Sequence, residues 1–287
     1  QEVLVWTDSS LYSLQYVGAG SGVWAAQLVG EQISIASQNS VAYASGVSYW
    51  MGKDKFYMYD GSTQPLQCDL RKYVFTDFNT EQYNQVFGGS NEAFNEVWWF
   101  YCSSSATDND RYVVYNYLEH IWYYGSMARS AWLDSGLRAF PLAATYNSVL
   151  VNHEEGVDDN ETGTTAAISA FITSADFDLE DGDRFMLMSR VLPDVSFEGS
   201  TAANPAITMS FFPLTSSGSG YNSPTSESGV STGVATRSAT SPVEVYTSQI
   251  HTRVRGRQVS MKIESSAAGV QWQSGATRID IRPDGRR

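Results

Sequence analysis

The 287-residue sequence is poor in cysteine, in histidine and in charge. Its two cysteines, Cys68 and Cys102, stand far apart and form neither a CxxC pair nor a Cys/His cluster, which argues against structural zinc. Two buried free thiols are expected, and a disulfide between them is left open. The three histidines are His120, His153 and His251. None sits in HExxH, and "NHEEG" around His153 lacks the second histidine that a zinc protease needs. There is no GxSxG nucleophile elbow and no GxxxxGK[ST] phosphate loop. "VGAGSG" (Val17 to Gly22) carries part of a dinucleotide fingerprint without the helix that must follow, so it reads as a turn. No apolar run reaches the length of a transmembrane helix, and no signal peptide opens the chain. The sequence starts at Gln1 and runs at once into "EVLVW", so a longer N-terminus is expected for the full protein.

One acidic stretch invites a calcium reading. In "DFDLEDGD" (Asp176 to Asp183), Asp176, Asp178 and Glu180 alternate as oxygen ligands of a hard cation would. The glycine falls one place late for an EF-hand loop, and no glutamate follows at the right distance. An exposed turn is the reading carried forward. Paired carboxylates could serve glycoside hydrolysis, but the Asp-box pattern of sialidase-type blades is missing. No catalytic, cofactor-binding or metal-binding residue is therefore assigned, and no enzyme activity is expected.

What the sequence has is net negative charge and aromatic rings. The formal charge is −13, the wrong sign for gripping nucleic acid by its phosphates. Charge is also segregated. From Glu154 to Glu198 acidic residues dominate, against Arg184 and Arg190 alone. From Arg253 onward the balance reverses, with Arg255, Arg257, Lys262, Arg278, Arg282, Arg286 and Arg287. This pattern suits either complementary surfaces between copies or pairing within one copy.

Hydrophobic period gives strands almost everywhere, separated by Gly and polar turns. "VLVWTD" and "LYSLQYVG" should pair across "SS". "GVSYWMG" and "KFYMYDG" flank a "KD" turn, and "EVWWFYC" and "RYVVYNY" flank "SSSATDND". "AITMSFFPL", "HTRVRGRQVSMKIES" and "TRIDIRP" continue the pattern toward the C-terminus. The single helix expected is "NTEQYNQVF", Asn79 to Phe87. A loose repeat of aromatic strand, turn and aromatic strand recurs every forty-odd residues, about the length of a four-stranded propeller blade. The expected fold is all-β. Propeller blades fill residues 1–165, and a β-rich, sandwich-like part or closing blades fill residues 166–287.

The densest aromatic run, Glu96 to Gly125, sharpens this. Alternation puts Trp98 and Phe100 on one face of a strand and Trp99 and Tyr101 on the other. A strand apolar on both faces must be covered on both, so the run reads as filling between stacked sheets. Its functional alternative is a stacking platform for sugars or bases.

The words "GVSYWMGKDKFYMYDGSTQPLQCDLRKYVFTDFN", "NEVWWFYC" and "DRYVVYNYLEHIWYYG", with the ending "RIDIRPDGRR", resemble the tail-hub (packaged-DNA stabilisation) and nozzle proteins of short-tailed bacteriophages. The resemblance covers roughly residues 3 to 150 and the last forty. It implies a structural virion protein that retains packaged DNA and lines the channel for its ejection. It further implies copies in a ring (six in the family), next to portal-proximal adaptor proteins and tail fibres or spikes. Double-stranded DNA would pass only transiently, and the tail would be assembled in the bacterial cytoplasm. No catalytic residues, metal or cofactor come with it. The alternatives are a carbohydrate-active propeller, marked by an aromatic groove with two carboxylates, and a host-receptor-binding one.

Overall fold

The computed structural model describes residues 2–18, 23–180, 182–214 and 238–285. Gln1, residues 19–22 within the stretch read from the sequence as a glycine-rich turn, Asp181, residues 215–237, Arg286 and Arg287 lie outside the described residues. The chain is all-β and divides into two compact units, 1–155 and 156–287.

The N-terminal unit is built from antiparallel meanders. β1 (Glu2–Trp6), β2 (Ser10–Tyr16) and β3 (Trp24–Glu31) form a three-stranded sheet in chain order. β4 (Val41–Ala44), β5 (Val47–Met51), β6 (Phe56–Tyr59) and β7 (Thr63–Leu66) form a four-stranded one. Next come a short helix α1 (Arg71–Asp77) and a second four-stranded sheet of β8 (Phe87–Asn91), β9 (Glu96–Tyr101), β10 (Arg111–Asn116) and β11 (Ile121–Ser126). β12 (Ala131–Leu133), β13 (Leu142–Ala144) and β14 (Leu150–Asn152) close the unit with three strands. The predicted pairings are present: Trp6 stands opposite Leu11, Met51 opposite Phe56, and Tyr101 opposite Arg111.

Three apolar clusters tie these sheets together. Leu4, Trp6, Leu11 and Val29 of the first sheet meet Trp50, Tyr57 and Tyr59 of the second. Met51 and Phe56 of the second sheet meet Val97, Trp99 and Tyr101 of the third, with Val74 of α1 among them. Trp98, Phe100 and Val114 of the third meet Trp132 of the fourth. Each of the two four-stranded sheets is thus apolar on both faces and covered on both.

The helix lies elsewhere than predicted. Residues 71–77 are helical, whereas in 79–87 only Tyr83–Gln85 make a 3-10 turn. Asn79 explains the difference. Its side-chain oxygen accepts from the Glu81 N–H at 3.0 Å, a local turn that competes with helix initiation. Its backbone N–H bonds the Cys102 carbonyl at 3.0 Å.

In the C-terminal unit, β15 (Asp158–Asp159) pairs with β16 (Ala166–Ala167). β17 (Ala170–Thr173), β18 (Phe177–Asp178), β19 (Met186–Leu192), β20 (Val195–Ser196) and β21 (Ala206–Leu214) follow. β22 (Ala239–Glu244), β23 (Ile250–Gly256), β24 (Gln258–Ser265), β25 (Gln273–Ser274) and β26 (Arg278–Pro283) complete it. One sheet runs β17-β24-β21-β22, with β18 also on β24; another runs β23-β19-β26. Alternate residues Ile207, Met209 and Phe211 of the first sheet share one core with Met186, Met188 and Val254 of the second. The units separate after Glu155, earlier than the boundary at 165/166 read from the sequence. The reason is local: the β15–β16 hairpin belongs to the C-terminal unit, where Asp158 accepts from the Gly269 N–H at 2.7 Å.

Candidate functional site

The aromatic run is the natural place to look for binding, and its side chains are already engaged. All six residues of β9 are buried. On one face the fully buried Trp99 stacks on Trp122 (5.9 Å, 21°), lies against Phe56, and donates its indole N–H to the Ser40 carbonyl at 2.9 Å. On the other face Trp98 stacks between Tyr112 (4.9 Å) and Trp132 (5.3 Å). Each such ring is worth about 2–3 kcal/mol in area removed from water. These rings fill the space between sheets and leave no open platform on β9.

The strand's first residue is different. Glu96 shares the face of Trp98, because residues two apart on a strand point the same way. Its carboxylate accepts from the Trp98 indole N–H at 3.0 Å and from the Tyr123 hydroxyl. Asn91, opposite it on β8, is fully buried. The tight β8–β9 connection is made possible by Asn95 in the left-handed region at φ 60°. Asn91 Nδ2 donates at 3.3 Å to Glu154, which follows β14 and is also left-handed at φ 60°. The Glu154 residue as a whole is exposed, while its carboxyl turns in toward buried Asn91.

Two carboxyls thus meet beside aromatic rings and resist ionisation. Burial holds the Glu96 carboxyl above the usual range, against the hydrogen bonds from Tyr123 and Trp98. Burial and then the charge of Glu96 hold Glu154 up. The hydroxyls of Tyr112 and Tyr123 are pushed up by burial and by both carboxylates. Asn91 Oδ1 is buried with no hydrogen-bond partner. Two carboxyls flanked by rings are also the groups of glycoside hydrolysis. However, Glu96 is only 8% exposed and Asn91 0%, so a sugar reaches that carboxyl only if the sheets part.

The other polar residues noted in the sequence are dispersed. His120 Nδ1 hydrogen-bonds Tyr115 OH at 2.8 Å. His153 takes the Arg129 Nε–H at 3.0 Å and packs on Trp132. His251 is on β23 opposite Arg190. Asp178 lies opposite Gln258 and accepts from its side chain at 3.2 Å. Gly182 closes a turn by bonding the Leu179 carbonyl, the turn predicted for that acidic stretch. Among the described residues, no group of three or more His, Cys, Asp or Glu side chains could hold a metal ion. Both cysteines are free thiols; Cys102 is buried, but Cys68 is only half-buried, short of the full burial expected. Burial pushes their pKa values up, to about 12 for Cys68 and about 11 for Cys102, so neither is a ready nucleophile at neutral pH.

The carboxyl pair escaped the sequence reading because Glu96 and Glu154 stand far apart in the chain. The legible signal was parity: a glutamate opening "EVWWFY" on the same buried face as Trp98 must find partners. No described helix is long and apolar enough to cross a membrane. The chain matches no family model, and no curated protein matches its sequence.

Proposed function

We propose that this chain is a structural component of a short bacteriophage tail, part of a hub or nozzle ring that retains packaged DNA and gives it a path out. The supporting observation is that the aromatic residues of the resembling words are spent on stacking. The rings of "SYWM", "KFYMY" and "EVWWFY" cover both faces of two four-stranded meanders and bind the N-terminal unit into layers. We read those meanders as propeller blades and the two-sheet C-terminal core as a β-sandwich. Sheets covered on both faces, as in the N-terminal unit, suit a particle part that must hold against internal pressure.

Charge supports the same reading. A net −13 supplies few fixed cations to trap phosphates. An acidic lumen repels DNA over roughly 8–10 Å at physiological salt. The decisive experiment is electron microscopy of intact virions decorated with gold-labelled antibody against the chain. Label at the tail base, with purified chain sedimenting as a closed ring, supports the proposal. Label on the capsid wall, or none, overturns it.

A second reading, a carbohydrate-active tail protein, draws on one observation: the Glu96–Glu154 pair beside Trp98, Trp132, Tyr112 and Tyr123. Incubation with host surface polysaccharide and a reducing-end assay tests it. New reducing ends that vanish in Glu96→Gln would support it, and their absence in the parent protein would end it.

A further inference from the structure

The β1-β2-β3 sheet is covered on one face around Leu11 and Ser13, while its other face is apolar and exposed. Underneath, Leu11 and Ser13 are fully buried, with Leu4, Trp6 and Val29 packed into the core. On the opposite face, Val5 stands across from Tyr12, Tyr12 across from Leu28, and Tyr16 across from Trp24. Their exposures are 39% for Val5, 36% for Tyr12, 41% for Leu28, 62% for Tyr16 and 52% for Trp24; Val3, on the same face, is 50% exposed. An antiparallel sheet with one solvated face normally alternates apolar inside with polar outside. Here the outer residues at these positions are Val, Tyr, Trp and Leu, with no charge among them.

We propose that this face is a docking surface for a second copy of the chain, packed sheet against sheet. Three observations favour that occupant. These six side chains carry no charge in a chain of net charge −13, and the acidic residue on the same face, Glu31 opposite Ser10, stands at its edge, so two copies can meet over the apolar centre without placing like charges in contact. A strongly charged partner would find no counter-charge on it. Its composition also suits self-association, since the cores of homodimer interfaces are the most apolar of interfaces and Tyr and Trp dominate their energetics. Finally, the exposed parts of these six side chains sum to roughly 600 Å², or about 1,200 Å² over two copies, the lower end of a stable interface. Two such sheets would stack about 10 Å apart with their strands nearly aligned. The proposal does not rest on the tail reading.

Sedimentation equilibrium of the purified chain over rising concentration tests it. The parent protein should self-associate. Tyr16→Lys with Trp24→Lys, both on exposed side chains, should weaken association at least tenfold while leaving far-ultraviolet circular dichroism unchanged. Leu28→Lys on the same face should do the same and serves if the double variant misfolds. Tyr43→Lys, 65% exposed on β4, should leave association intact. A parent protein that stays monomeric up to about 100 μM, well above a micromolar Kd, overturns the proposal. That result would mean the face is covered by another part of the chain or by a different partner. Association unchanged in the Lys variants overturns it as well.

Discussion

Trp99 is the residue on which the packing argument is most exposed to test. Its ring has no access to solvent, its indole N–H is satisfied by Ser40, and two aromatic neighbours hold its plane. Trp99→Ala should cost about 3–5 kcal/mol in urea unfolding, as deletion of a large core side chain does. A variant that melts like the parent but loses a ligand would contradict the core assignment. Glu96 gives a prediction of another kind. Its folded pKa is raised by burial, so the native state binds its proton more tightly than the unfolded chain does. Stability from this group is full below the unfolded pKa, near 4.5, and is lost as pH rises through the folded value. Glu154, raised by burial and by Glu96, acts in the same direction. Melting temperature should therefore fall on going upward from about pH 4.5, and Glu96→Gln, neutral at every pH, should flatten that decline. A slope unaltered in Glu96→Gln would mean that other groups set it.

At the scale of the element, the close approach of β8 to its neighbours depends on glycine. A Cβ built on Gly89 would run into the Trp132 ring, which stacks on Trp98 across the gap between two sheets. Gly89→Ala should push Trp132 aside and cost about 1–3 kcal/mol, as overpacking does. Tryptophan fluorescence and urea midpoints measured together would check this, since a fall in stability without a spectral change would locate the damage elsewhere. The strands themselves were legible in the sequence, because "EVWWFY" and "RYVVYN" are short runs of aromatic and β-branched residues and "AITMSFFPL" alternates with period 2, each bounded by turn residues. The helix was not. "RKYVFTD" has β-branched and aromatic residues that favour strands, and its helical form goes with packing between the sheets, where Val74 is buried and Leu70 and Phe75 pack beside it. The carboxyl pair was invisible for the opposite reason: its partners come from β9 and from the end of β14, and no local pattern joins them. Assignment of the sheets to blades is likewise a matter of tertiary arrangement that local sequence period does not encode.

For the whole molecule the question is what the segregated charge is for. Part of it is used inside the C-terminal unit. Arg190, from the acidic stretch, pairs with Asp280 at 2.7 Å, and Arg255 pairs with Asp284 at 2.5 Å while lying over the Phe185 ring at 4.1 Å. These pairs are close to half exposed, so each contributes about 0–1 kcal/mol and neither explains the segregation by stability. The exposed Arg253 and Arg282 remain the better candidates for facing another copy. In the ring proposed above, each subunit would show one flank to the other flank of its neighbour, so unlike flanks can carry unlike charge and reject wrong pairings. Arg255 is a poor probe of this, because reversing it also breaks its pairing with Asp284. Arg253→Glu with Arg282→Glu should instead weaken ring formation while changing the unfolding free energy by no more than about 0.5 kcal/mol, as surface substitutions do. Raising salt should mimic the double variant, because contacts between exposed charges are screened. Sedimentation of both proteins at low and high salt decides the matter. Rings that form equally well in all four conditions would assign the charge to solubility and leave ring closure to apolar contact.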